Sequence, residues 1–241
     1  MGAQEGVGGV PSAAAAAAGT PRSQTLDRGL RVLEVLAEGS GPLTVAELTR
    51  ALGVHRSIVY RIVRTLEDHR LVARDGDGGW QLGVGLSALA RGVSRPLQSA
   101  ALPDLSELAN DLGMTAFLVV PDRDEAVTLV AVEPRDSHAH IAYRPGVRHP
   151  VSRGAPGLAL LSGGPRRAGE RPEVALARRR GWAWSRGEVI PGLSSVAVPV
   201  SVPAQGVVAA VCVVYADENA DEEAVAARLA AAARRIAAEL S

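Results

Sequence analysis

Residues 44–70, TVAELTRALGVHRSIVYRIVRTLEDHR, constrain the fold of this chain more than any other stretch, because they spell two short helices joined by a tight turn. Thr44 and Glu47 have the spacing of a capping box, in which the Thr hydroxyl accepts from the Glu47 amide while the carboxylate reaches back. Leu48, Ala51 and Leu52 follow as one apolar stripe, and Gly53 can turn the chain without a Cβ penalty. In the second helix Val59, Ile62, Val63 and Leu66 keep the i, i+3, i+4, i+7 spacing of a buried face.

At about 100° per residue, Ser57, Arg61 and Arg64 point the other way, with Arg56 and Tyr60 on the flank. Guanidinium groups one helical turn apart, beside a small hydroxyl residue, suit a helix lying in a DNA major groove, where Arg pairs with guanine edges or clamps phosphates. A solvated helix face is the bland alternative. The capped helix and glycine turn in front of it favour a helix-turn-helix. The segment LVARDGDGGWQL comes next and reads as a β-hairpin, two apolar runs around an Asp- and Gly-rich turn. A hairpin directly behind a recognition helix makes a winged helix. Arg74 is placed at the wing base, in reach of phosphate or minor groove, whereas Asp75 and Asp77 at the tip repel phosphate.

The net charge of the 241 residues is zero, which resolves by segment. From Arg22 to Arg95 there are eleven Arg against eight Asp and Glu, and from Arg56 to Arg74 five against two. Such an excess supports weak, salt-sensitive non-specific affinity and leaves specificity to placed contacts and dimerisation. All 26 of the Lys-plus-Arg residues are Arg, a composition bias and not a functional sign. One cysteine, Cys212, excludes an internal disulfide and a Cys-cluster zinc site and fits a reducing cytoplasm. No apolar run has the length of a membrane span, and the alanines of Ala13–Ala18 lack the basic region of a secretory signal.

Residues 1–22 carry almost no bulky apolar side chain and are expected to form a disordered tail. A winged helix-turn-helix domain is expected over 23–82, opened by a helix from Thr25 to Ala37 with Leu26, Leu30, Leu33 and Leu36 on one face. Residues 83–96 read as a linker helix, with Leu86, Leu89, Ala90 and Val93 in helical register and Pro96 as its stop. The second domain, 97–241, opens with a helical segment to Leu112 interrupted at Pro103. Strands are expected at Thr115–Val120, Ala126–Val132, Ala139–Arg144, Ser195–Val202 and Val207–Tyr215, and helices at Ala155–Leu161, Pro172–Arg180 and Asp221–Leu240. An antiparallel sheet of five or six strands with packed helices is an α+β domain.

SQTLDRGLRVLEVL and the run from Leu43 to Leu86 resemble the winged-helix half of the IclR (isocitrate lyase regulator) family of bacterial transcription factors. RPGVRHPVSRGAPGLALL, RRRGWAWSRGEVIPGLSSVAVPV and VVAAVCVVYA with the terminal helix resemble its second half, so the likeness spans about Ser23 to Leu240. The resemblance implies a cytoplasmic homodimer or tetramer that binds double-stranded operator DNA, with a GAF-like C-terminal domain holding a small organic acid. It places Gly154, Ala155 and Gly157 where backbone amides at a helix N-terminus receive the effector carboxylate. Ser185, Ser195, Cys212 and Val214 fall on positions lining the rest of that pocket. Many relatives carry an acidic residue at the position of Ser185, a Cys at that of Ser195, serines at those of Cys212 and Val214 and a basic residue at that of Leu158. The departures imply a larger, partly apolar acid, such as an amino acid, a branched 2-oxo acid or an aromatic acid, and not a glyoxylate-like ligand.

Other polar residues carry weaker readings. His138, His140 and His149 form the best metal candidate but lack a carboxylate or Cys spacing beside them. Ser194 and Ser195 lack a base and an elbow motif. Cys212 reads as core, Trp182 and Trp184 as packing or an effector-lining wall, and Arg178 to Arg180 as a solvated helix end. The expectation is a non-enzymatic, cofactor-free DNA-binding transcriptional regulator, a repressor whose operator affinity responds to a small organic acid or amino-acid-related metabolite. The alternative is a constitutive dimeric DNA-binding protein whose C-terminal domain only dimerises.

Overall fold

The structure is a computed structural model that describes residues 23–135, 143–166, 168–203, 205–216 and 220–241. The tail 1–22, His138 and His140 lie outside the described residues. The chain divides into two compact units, the first ending at Val93 and the second starting at Ser94.

The first unit holds three helices, α1 (Gln24–Glu38), α2 (Val45–Leu52) and α3 (Arg56–Asp68), then a two-stranded wing, β1 (Val72–Arg74) and β2 (Trp80–Leu82), and a short α4 (Gly85–Ala90). Its core is Val32, Leu36, Leu48, Leu52, Val59, Ile62, Val63, Val72 and Trp80. The wing is tied back to the helices by reciprocal backbone hydrogen bonds between Leu43 and Trp80, at 2.8 and 2.7 Å. Ala51 is exposed, so the α2 stripe narrows to Leu48 and Leu52. α1 is rotated from its expected register. Gly29, Val32 and Leu36 face the core, while Leu26 and Leu30 are 62% and 52% exposed. Gly29 faces α3, where a Cβ would make only an ordinary contact, 3.9 Å from Ile62 Cγ2.

The expected linker helix 83–96 is broken in two. α4 ends at Ala90, and a new helix, α5 (Arg95–Leu112), begins just before Pro96. Pro96 therefore starts a helix instead of stopping one, since a first-turn residue needs no intrahelical N–H donor. Pro103 lies within α5 without ending it.

The second unit is a six-stranded antiparallel sheet with helices on both faces. Its strands are β3 (Thr115–Asp122), β4 (Glu125–Val132), β5 (Arg148–Pro150), β6 (Ala183–Arg186), β7 (Ser194–Val202) and β8 (Gly206–Tyr215), in the order β5-β4-β3-β8-β7-β6. The helices are α5, α6 (Gly154–Gly163), α7 (Pro172–Arg180) and α8 (Glu222–Glu239). Alternation along β8 sorts the two faces: Val211 and Val213 pack with Leu105, Leu108, Leu229 and Ile236 of α5 and α8, whereas Cys212 and Val214 pack with Leu158 of α6 and Val174 of α7. The strand expected at Ala139–Arg144 is not found at Tyr143 and Arg144, and 136–142 lie outside the described residues. Its sheet position is taken by the short edge strand β5, whose Arg148–Pro150 pairs with Glu125–Val127 of β4.

Candidate functional site

In the first unit the candidates Arg56, Ser57, Tyr60, Arg61 and Arg64 share one exposed face of α3, while Thr44 caps α2 and Arg74 lies on β1. The Thr44 hydroxyl accepts from the Glu47 amide at 3.3 Å and donates to its carboxylate at 2.7 Å, and the carboxylate accepts from the Thr44 amide at 2.8 Å. Gly53 closes α2 and the chain turns into α3, whose N-cap is His55: its Nδ1 accepts from the Ser57 amide at 3.3 Å. That cap was missed in the sequence because Ser, Thr, Asp and Asn are the usual signals. Arg56, Ser57, Tyr60, Arg61 and Arg64 are all exposed, opposite Val59, Ile62 and Val63.

The cations of α3 and the wing differ. Arg64 lies 3.6 Å and Arg74 3.9 Å from the Glu67 carboxylate, and the Arg74 guanidinium sits 4.6 Å over the Trp80 ring. Arg56 and Arg61 have no carboxylate partner among the described residues. At the wing tip Asp75 is turned inward, accepting from the Gly79 and Asp77 amides at 2.6 and 3.2 Å, which leaves Asp77 as the tip's outward charge.

In the second unit the other candidates gather at the N-terminus of α6. Ser185, Ser195 and Val214 are direct cross-strand neighbours on β6, β7 and β8, and Cys212 lies on the same face one step along β8. α6 is buried on nearly every side, so Leu158, fully buried, serves as core. Gly157 packs backbone to backbone, and a Cβ there would run into the Val151 carbonyl. Gly154 has φ +74° and a Cβ on it would approach Val189 Cγ2 to 2.6 Å.

The amides at this helix end are already occupied. Ala155 N–H donates to Ser185 Oγ at 2.7 Å, and Gly154 N–H donates to Glu188 Oε2 at 2.8 Å. Arg171 donates to both oxygens of Glu188, at 2.9 and 3.0 Å, and also to Ser152 O and Glu173. The Arg171 guanidinium first, and the Gly154 amide after it, hold the Glu188 carboxyl below the usual range against the opposing effect of burial. Neither Arg171 nor Glu188 was singled out in the sequence. Their pairing across 17 residues of loop and helix leaves no local pattern to read.

Tyr143 stacks on Phe117 with ring centroids 4.1 Å apart, and it lines with Pro156, Ser185, Ser195, Leu193 and Val214 a residual cavity of about 20 Å3. Burial raises the Tyr143 hydroxyl and the Cys212 thiol well above their ordinary values, so both are neutral, and Cys212 is core. His149 is 6% exposed and burial lowers its pKa. Among the described residues no group of three His, Cys, Asp or Glu side chains is placed to hold a metal ion. The expected solvated end of α7 holds for Arg179, which is exposed, and is corrected for Arg178 and Arg180. Arg178 donates to the carbonyls of Leu161 and Ser162 at the end of α6 and pairs with Glu170, and Arg180 stacks 3.5 Å over the Trp182 ring. α6 thus has a carboxylate at its N-terminus and a guanidinium at its C-terminus, as its dipole favours.

Two family descriptions match the chain, the IclR helix-turn-helix domain over residues 25–76 and the bacterial transcriptional regulator IclR C-terminal domain over 171–241. The HTH-type transcriptional regulator Rv1719 of Mycobacterium tuberculosis is 31% identical over 217 residues, covering 76% of this chain and 83% of that protein. The transcriptional repressor IclR of Escherichia coli is 29% identical over 62% of this chain, and the match spans only 56% of that relative's length. Among solved structures, an IclR homolog from Microbacterium hydrocarbonoxydans complexed with 4-hydroxybenzoate superposes with a TM-score of 0.79 at 25% identity, covering 90% of this chain and 99% of that one. An IclR transcriptional regulator from Alicyclobacillus acidocaldarius gives 0.78 at 26% identity, over 92% and 100%. No helix among the described residues is long and apolar enough to cross a membrane. With a winged helix-turn-helix in front, a helix-flanked antiparallel sheet behind and relatives aligned across both, this chain belongs to the IclR family of bacterial transcriptional regulators.

Proposed function

We propose that this protein is a cytoplasmic, homodimeric repressor that reads operator DNA through α3 and releases it in response to a small organic acid. The observation that carries the DNA half is the exposed face of Arg56, Ser57, Tyr60, Arg61 and Arg64, on which Arg56 and Arg61 have no carboxylate partner among the described residues. Residues 23–82 read DNA, 83–96 connect, and 97–241 sense the ligand. Leu26, Leu30, Val84, Leu89 and Val93 are exposed apolar side chains of the first unit, and a second copy of the chain supplies their cover. Two recognition helices about one DNA turn apart, roughly 34 Å, match a palindromic site.

The ligand enters beside Gly154, Ala155 and Gly157 and is lined by Ser185, Ser195, Cys212 and Val214. A mostly apolar lining supports an aromatic or amino-acid-related acid, and the relative complexed with 4-hydroxybenzoate supports the aromatic class. An acid that prefers one conformational state shifts operator affinity by its difference in affinity for the two states.

The second reading, a constitutive DNA-binding scaffold, is favoured by one observation: a cavity of about 20 Å3 is far below the roughly 300 Å3 at which ligand pockets begin. Fluorescence anisotropy of the purified protein on the DNA upstream of its own gene separates them, with a salt titration and a panel of amino, 2-oxo and aromatic acids. Saturable binding that one acid weakens supports the ligand-responsive repressor. Selective binding indifferent to every acid supports the scaffold, and no selective binding at low salt removes both.

A further inference from the structure

We propose that Glu67 is a built-in stand-in for a DNA phosphate: its carboxylate holds Arg64 of α3 and Arg74 of the wing at one anion position, and so restrains the affinity of the first unit for DNA of any sequence. This rests on the DNA reading proposed above. It adds to the side chains that favour binding a positioning residue that opposes it.

Two cations from different elements meet at this carboxylate. Arg64 Nη1 lies 3.6 Å from Glu67 Oε2 and Arg74 Nε lies 3.9 Å from Oε1, so each oxygen faces its own guanidinium. Arg64 stands one helical turn before Glu67 on α3, whereas Arg74 ends β1. The Trp80 ring holds Arg74 from a second side, 4.6 Å from its guanidinium carbon. Trp80 is 1% exposed and bonded through its backbone to Leu43, so the wing half of this clamp is anchored in the core of the unit.

The carboxylate stands where helix and wing would grip a phosphate. With α3 in a major groove and the wing beside the neighbouring minor groove, the strand that separates the two grooves passes between them. Guanidinium groups that converge on a carboxylate suit a phosphate equally well. The Arg64, Arg74 and Glu67 side chains are 55%, 43% and 31% exposed, so a phosphate can reach both cations.

An exposed ion pair contributes little to stability, and loss of the Glu67 charge is expected to leave the fold intact. Its effect on DNA is of another kind. A phosphate must draw two cations away from Glu67, and the fixed negative charge then remains beside it. Arg56 and Arg61 carry no such cost, having no carboxylate partner among the described residues. The reader therefore has two ready cations and two restrained ones.

Fluorescence anisotropy of the full-length protein on a random-sequence duplex, across a sodium chloride titration, tests this without knowing the operator. Glu67→Gln keeps the shape and removes the charge, and is expected to melt with wild type. It is expected to bind the duplex about five- to tenfold more tightly at about 0.1 M salt, with a salt slope steeper by roughly 0.9, one further phosphate contact. Arg64→Ala and Arg74→Ala together are expected to remove that gain, and to cost less affinity in wild type than in Glu67→Gln. The same gain is expected on the DNA upstream of the protein's own gene, because a phosphate contact carries no sequence information. Equal affinity and slope in wild type and Glu67→Gln overturn the proposal and leave the DNA reading standing. Weaker binding by Glu67→Gln, a gain that survives loss of both arginines, or a gain confined to the upstream DNA does the same. No binding of either duplex by wild type or variant at low salt removes the DNA reading itself, and the proposal with it.

Discussion

Two helices carry the candidate chemistry of this chain, and they treat charge in opposite ways. On α3 the cations face outward, and Arg56 and Arg61 have no carboxylate among the described residues. At α6 the charges are matched inside the unit, Glu188 with Arg171 and Gly154 at one end and Arg178 with Glu170 and two carbonyls at the other. A surface meant for a permanently anionic polymer gains from cations left unsatisfied, because DNA is always charged and always available. At the N-terminus of α6 internal pairing keeps backbone amides and partly exposed charges from standing unmet.

The largest expected effect opens the closed end. Gly154→Ala combines a left-handed backbone with a Cβ 2.6 Å from Val189, and should destabilise the second unit by about 2–4 kcal/mol. Urea denaturation followed by Trp182 and Trp184 fluorescence measures it, and a loss under about 0.5 kcal/mol would mean that the loop yields easily. Next comes the open end. Arg61→Ala should cost about 1–3 kcal/mol of affinity for the cognate operator with the melting temperature unchanged. Anisotropy titrations showing equal affinity would take base reading away from Arg61, and a uniform loss on all sequences with a shallower salt slope would make it a phosphate contact.

A smaller effect concerns the scaffold behind the open face. Thr44→Ala removes one half of the capping box and should lower the stability of the first unit by about 1 kcal/mol, read from Trp80 fluorescence during denaturation. The smallest is acid sensitivity. His149 and Glu188 both have folded pKa values below their ordinary ones, so in each case the unfolded chain binds the proton more readily and stability falls as pH falls. The His149 contribution is lost below about 6.5 and that of Glu188 below about 4.5, where the unfolded groups begin to protonate. Melting curves from pH 8 to 4 should show the lower step flattened in Glu188→Gln. An identical profile would mean the Arg171 pair adds nothing to folding.

Much of the first unit was legible because its signals are local. The capping box of Thr44 and Glu47, the αL turn at Gly53 and the stripe of Val59, Ile62 and Val63 each lie within one or two helical turns of chain, and all appear in the structure. The α1 leucines misled for the same reason. Periodicity gives a helix and an apolar stripe, but packing against α3 selected the side with the glycine. In the second unit the long strands were read from apolar runs between turn signals, while the three-residue β5 and the continuous α5 through Pro103 were not, being too short or too exceptional for such a signal. The cluster of Ser185, Ser195, Cys212 and Val214 came from family likeness and not from spacing. Their adjacency requires the pairing of β6, β7 and β8.

By itself, then, the sequence determined a capped two-helix reader with five polar or basic side chains on its outer face, and an antiparallel sheet dressed by helices. Helix caps and side-chain periods act over a few residues, and no long-range contact is needed to choose them. Only the tertiary structure decided which carboxylate lies at the N-terminus of α6, which guanidinium answers it and how little space remains beside them. Gly154, Arg171 and Glu188 come from three separate segments, and their meeting depends on sheet order and loop path, which residue spacing does not encode.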